Sequence, residues 1–72
     1  MRLNTELLRA FRKQQGLTLA EAGKLVGAVG PSWWHWEHGK YFPRKHLEAI
    51  ALALKVPVGF LILEPDGKPK EA

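Results

Sequence analysis

The chain contains no cysteine among its 72 residues, which removes disulfide staples, thiolate metal sites and a cysteine nucleophile. No apolar run approaches the roughly 18 residues that a membrane span requires, and no charged-then-apolar leader opens the chain. A soluble, cytoplasmic protein without a membrane partner is the expectation. Paired carboxylates, a Ser/His/Asp grouping and a Gly-rich phosphate loop are also missing, so neither enzymatic activity nor a cofactor is expected. His35 and His38 stand three apart but lack a third ligand, His46 falling in the next helical segment, so no metal site is expected. Acidic residues are the minority: 7 Asp and Glu against 11 Lys and Arg leave a net charge of +4. That balance favours an acidic partner, nucleic acid first.

What the chain has is a concentration of tryptophan. All 3 of its tryptophans fall in Gly30-Pro31-Ser32-Trp33-Trp34-His35-Trp36-Glu37-His38-Gly39-Lys40. Pro31 suits a first helical position and Gly39 suits a left-handed stop. A helix of about two turns is too short to persist alone in water and needs neighbours to hold it. Trp33 and Trp36, three apart, share a face and suit burial. Trp34 and His35 point elsewhere.

The remaining pattern reads as short helices with no strand and no repeat. Asn4 or Thr5 caps a first helix whose apolar face is Leu7, Leu8 and Phe11, closed by Gly16. Thr18 and Glu21 form a capping box opening a second helix over residues 18–26, with Ala22, Leu25 and Val26 inward. The third helix spans about residues 30–38. A fourth, from about Arg44 to Lys55, carries Leu47, Ile50, Ala51 and Leu54. Pro57 can start a short fifth helix with Val58, Phe60, Leu61 and Ile62, or with Leu61 and Leu63 on another face. Residues 1–63 form one all-α domain, and residues 64–72 read as a disordered tail. A chain of this size buries only about 60% of the surface its unfolded form exposes, so its stability margin is thin.

The second and third helices stand at the separation of a helix-turn-helix unit. The residues Phe11-Arg12 ahead of Gly16-Leu17-Thr18, then Ala22, Val26-Gly27, Trp33, Trp36-Glu37, Gly39-Lys40 and Pro43, lead to Ile50-Ala51-x-Ala53-Leu54-x-Val56-Pro57. From Arg12 to Leu61 this pattern resembles the Cro/phage-repressor (XRE) family. The resemblance implies a compact, lambda-repressor-like bundle of five helices and a buried ion pair between Arg12 and Glu37. A carboxylate adjoining Trp36 is costly to bury without a guanidinium, the alternative being that both charges stay in water.

The same resemblance places base contacts at Gly30, Pro31, Ser32, Trp34 and His35. It places phosphate contacts at Thr18, Leu19, His38, Lys40 and Arg44, and Tyr41 and Lys45 suit the same clamp. Direct readout favours Arg, Lys, Asn and Gln, and none occurs between Gly30 and Gly39. The implied function is a sequence-specific regulator of transcription that binds double-stranded DNA, of the small phage or mobile-element repressor kind. It would act as a homodimer on a two-fold operator, with Phe60, Leu61 and Leu63 as the dimer surface; the other reading of these residues is monomer core. The alternative is a protein-interaction module, antitoxin-like or inhibitory, that grips a protein partner through Trp34.

Overall fold

The computed structural model describes residues 2–29 and 31–70. Local signals set the helix starts. The Asn4 side chain accepts from the Leu7 N–H at 3.2 Å and caps α1, Thr5–Gln14. Glu6 in its first turn and Arg12 and Lys13 in its last suit the helix dipole. Thr18 accepts from the Glu21 N–H at 3.1 Å while Glu21 accepts from the Thr18 N–H at 2.8 Å, opening α2, Leu19–Leu25. Next comes α3, Ser32–Glu37, preceded by Pro31 at the cap position rather than inside the first turn. A single 3₁₀ turn, Arg44–His46, leads into α4, Leu47–Leu54.

Helix ends are equally explicit. Gly39 adopts a φ of +67°, letting its N–H reach the Trp36 carbonyl at 3.1 Å and the Lys40 N–H reach the His35 carbonyl at 2.8 Å. Those two bonds satisfy carbonyls that the end of α3 leaves free. The last helix closes the same way without a glycine. Lys55 itself takes φ 60° and ψ 42°, and the Lys55 and Val56 N–H groups bond Leu52 and Ala51 at 3.2 and 3.1 Å.

Packing centres on Trp33, Leu8, Ile50 and Leu61, joined by Leu3, Ala22, Val26, Trp36 and Ala51. The Trp33 and Trp36 rings lie 5.7 Å apart, and Phe11 packs on Trp33 at 6.4 Å. The inner face of α2 is Ala22 and Gly23, continued by buried Val26 at its C-terminal cap; Leu25, expected inside, is exposed. Only one narrow stripe of a seven-residue helix meets α3, and small residues there allow the close approach.

Four α-helices form among the described residues, not five, and the fold is not purely α. The segment after Pro57 makes a 3₁₀ turn, Val58–Leu61, then extends as strand β2, Ile62–Leu63. It pairs antiparallel with β1, Arg2–Leu3, with Arg2 opposite Leu63 and Leu3 opposite Ile62. Pro57 enters in extended geometry (φ −63°, ψ 149°), and the backbone groups find partners across the chain instead of along it. The Asn4 N–H, for example, donates to the Leu61 carbonyl at 2.8 Å. Residues 64–70, expected as a disordered tail, form a hydrogen-bonded turn in this structure. The Glu64 N–H donates to the Lys68 carbonyl and the Lys70 N–H to that of Ile62, both at 2.8 Å. Glu64-Pro65-Asp66-Gly67-Lys68 is a turn-forming sequence for which Pro, Asp and Gly each supply a reason.

A non-glycine residue in the left-handed region carries steric strain of about 1–2 kcal/mol. Replacing Lys55 by Gly relieves it, partly offset by glycine's greater unfolded-state freedom. The expected net gain is roughly 1 kcal/mol, or about 4–8 °C in thermal midpoint. Thermal unfolding of Lys55→Gly with an unchanged or lower midpoint would show that the strain is not there.

Candidate nucleic-acid interface

The site is built outward from one carboxylate. Glu37, the last residue of α3, is 3% exposed, the one buried charged residue among the described positions. Arg12 on α1 reaches it with two nitrogens, Nε to Oε2 at 2.6 Å and Nη2 to Oε1 at 3.2 Å. The Trp33 indole N–H donates to the same Oε2 at 2.6 Å. Arg9 adds a bond from Nη2 to the Glu37 backbone carbonyl at 3.1 Å and places Nε 3.6 Å from Oε1. Burial pushes the Glu37 carboxyl up, but hydrogen bonds from Arg12 and Trp33 and the charges of Arg12 and Arg9 outweigh it, holding it below the usual carboxylate range. The Arg12 guanidinium is raised in turn, mainly through its hydrogen bond to Glu37. Arg12 also donates from Nη1 to the Leu17 carbonyl at 3.3 Å, tying the connection before α2 into the same network.

With Trp33, Trp36 and Glu37 buried, α3 turns Pro31, Ser32, Trp34, His35 and His38 toward its outer side. Trp34 is 36% exposed, and its ring stacks on His38 with centroids 4.0 Å apart and 19° between planes. His35 meets Trp34 edge-on at 5.2 Å and reaches the Tyr41 ring at 4.8 Å. The expected base and phosphate residues thus share one aromatic row, His38, Trp34, His35 and Tyr41. Ser32 Oγ donates to the Val29 carbonyl at 2.6 Å. His38 Nδ1 lies 2.8 Å from the Trp34 carbonyl, which can only accept, so the neutral ring carries its proton there and Nε2 is an acceptor. A phosphate contact through Nε2 therefore requires the imidazolium form.

The cationic rim divides. Lys40, Tyr41, Arg44 and Lys45 are all exposed, and a small hollow of about 320 Å³ brings Ser32 beside Arg44 and Lys45. Thr18 is less available than expected. Its N–H is engaged by Glu21, whose carboxyl is held below the usual range by the backbone and hydroxyl of Thr18. A charged acid therefore sits where a phosphate contact was expected. Leu19 packs against the core, leaving only its backbone for such a contact. Gly30 lies outside the described residues. His46 packs on Trp36 at 5.2 Å, and among the described residues no three metal-ligating side chains gather.

A profile described as a helix-turn-helix domain matches residues 5–59, from the start of α1 into the 3₁₀ turn that follows Pro57. The chain belongs to the helix-turn-helix family. No curated protein and no solved structure matches it. Within the helix-turn-helix domain, α2 and α3 are the paired helices and Arg12 and Glu37 join α1 to the end of the second. No helix among the described residues is long and apolar enough to cross a membrane.

Sequence reasoning overlooked Arg9 and Arg2. Arg9 stands three before Arg12 on the same face of α1, a spacing that signals a shared partner. Arg2 and Arg9 line a groove of about 960 Å³ together with His38, Lys40 and Tyr41. Leu61, assigned to a dimer surface, is 0% exposed and belongs to the monomer core; Phe60 and Leu63 are half-buried. The 3₁₀ turn places Leu61 in the buried cluster that also holds Leu8 and Ile50.

Replacing Glu37 by Gln leaves Arg12 without its counter-charge and is expected to cost about 3–5 kcal/mol. A domain of this length has roughly 4–11 kcal/mol in total, so urea unfolding should show a large loss. Because the folded carboxyl titrates below its unfolded value, the network's contribution is complete above that unfolded value. It disappears as pH falls through the lower folded one. Stability of the parent chain should therefore drop on the acidic side, and Glu37→Gln should flatten that limb; parallel pH profiles would contradict the assignment.

Proposed function

We propose that this chain is a DNA-binding regulator of transcription of the Cro/phage-repressor type, α3 entering the major groove. The observation that carries the reading is the clamped α3. Its inner residues are fixed by Arg12, Glu37 and Trp33; of its outer residues Trp34 is exposed and Ser32 and His35 are half-buried, beside exposed Lys40, Tyr41, Arg44 and Lys45. A helix held this way offers a pre-set surface to a duplex, so little ordering entropy opposes binding. Pro31, Ser32, Trp34 and His35, with Gly30, make up the base-facing set. Lys40, Arg44 and Lys45 supply charge to the phosphates, joined by Tyr41 and by His38 when protonated. Thr18 and Leu19 contribute at most through the start of α2, beside Glu21.

The chain's small size favours action as a homodimer on a two-fold operator, since one module covers too little DNA for tight specific binding. A dimer formed at the C-terminal end would use Phe60 and Leu63, Leu61 being occupied in the core. With no Arg, Lys, Asn or Gln on the outer face of α3, affinity rests on the cationic rim. The compact domain and the family resemblance favour a repressor of small phage or mobile-element kind. A second reading, a protein-interaction module gripping its partner through Trp34, is favoured by one observation: Tyr41, 65% exposed, lies close enough to Trp34 through His35 to extend an aromatic patch.

Selection of bound sites from random duplex DNA tests the proposal directly, with a two-fold motif as the expected result. Changing Lys40 and Arg44 together to Ala should weaken binding to every sequence. It should also reduce the slope of log affinity against log salt by about 0.9 per lost phosphate contact. Unchanged salt dependence removes those residues from the clamp. Failure to select any duplex, with capture of a protein that Trp34→Ala abolishes, supports the interaction reading instead.

A further inference from the structure

The Ser32 hydroxyl, at the first position of α3, has a fixed hydrogen-bonding polarity. A serine hydroxyl carries one donor and two acceptor lone pairs. The single Ser32 proton is directed to the Val29 carbonyl at 2.6 Å, in the connection between α2 and α3. What Ser32 can show to a ligand is therefore an acceptor. The residues on either side of Ser32 do not change what its own hydroxyl presents; Trp34, further along the outer face, carries an indole donor of its own. Pro31 has no donor, and the Trp33 indole N–H is buried on Glu37. Turning the Ser32 proton outward would break the bond that ties the inter-helix turn to α3.

In helix-turn-helix docking, residues at the start of the second helix meet base edges in the major groove. The donors on those edges are the N6 amino group of adenine and the N4 amino group of cytosine; guanine N7 and O6 and thymine O4 are acceptors. An acceptor set against an acceptor leaves both desolvated and unpaired, which is penalised. We propose that Ser32 is a specificity-determining residue that reads the amino group of adenine or cytosine and discriminates against guanine and thymine at the position it faces. This rests on the DNA-binding reading above and sharpens it by naming the base-edge chemistry. It also supplies selectivity at a surface that lacks the bidentate side chains through which guanine is usually read.

The test is site selection with the parent chain and with Ser32→Ala, followed by base analogues in the selected site. Purine in place of adenine, or pyrimidin-2-one in place of cytosine, deletes the amino group; 7-deazaguanine deletes the N7 acceptor. At one position, loss of the amino group should weaken the parent about three- to tenfold and leave Ser32→Ala unaffected, while loss of N7 should have no effect that depends on Ser32. Ser32→Thr, which keeps the hydroxyl, should keep the preference. The inference is overturned if no position is sensitive to the amino group, if an N7 deletion is felt only when Ser32 is present, or if parent and Ser32→Ala select the same sites. Where Ser32→Ala fails to fold, Ser32→Cys, a weak acceptor, takes its place, and a parent insensitive to the amino group overturns the inference without either. Absence of binding to any duplex overturns the DNA reading and this inference together, whereas binding without amino-group sensitivity overturns this inference alone.

Discussion

A carboxylate in a hydrophobic interior is unstable unless its charge is answered, and Glu37 is answered from three directions. Arg12 supplies two hydrogen bonds, Trp33 supplies one, and Arg9 adds charge and a bond to the backbone. The desolvation cost of such a group is several kcal/mol, so the arrangement works only while all partners stay in place. α1 supplies both arginines, and α3 supplies the acid and the indole. The relative placement of these two helices is thereby set by a geometry stricter than hydrophobic contact.

That constraint explains how a six-residue helix keeps a fixed outer surface. α3 is too short to be stable by itself, yet both its faces are determined. The inner face is fixed by Trp33, Trp36 and the ionic cluster. The end is fixed by Gly39, and the start by Ser32 bonded back to Val29. Its outer side then presents a defined aromatic row, Trp34 stacked on His38 and touching His35. Tertiary restraint substitutes for helix length.

Much of this was legible in the residues. Asn4, the Thr18–Glu21 box and Gly39 carry helix boundaries in local chemistry alone. The spacing of Trp33 and Trp36 points to burial because three residues return a side chain to the same helix face. The pairing of Arg12 with Glu37 came from the family pattern, supported by the cost of burying a bare acid. The failures have a common cause. Leu25, Leu61 and the extended run Ile62–Leu63 are apolar residues whose side of the chain depends on what lies across from them. Arg2 and Leu3, far away in sequence, turn the end of the domain into a strand pair. The turn at Pro65-Asp66-Gly67 was locally encoded, but its polarity read as disorder when judged by composition.

By itself, then, the sequence determined the helix boundaries marked by Asn4, the Thr18–Glu21 box and Gly39, which tryptophans suit burial, and the excess of positive charge, because these follow from short-range bonding, helical periodicity and composition. The tertiary structure alone decided that Arg9 and Trp33 join Arg12 on Glu37. It alone placed Leu61 in the core and paired Arg2–Leu3 with Ile62–Leu63. It also directed the Ser32 proton inward and stacked Trp34 on His38. Those outcomes depend on which groups meet across space, where burial raises the cost of every unpaired charge, donor and acceptor.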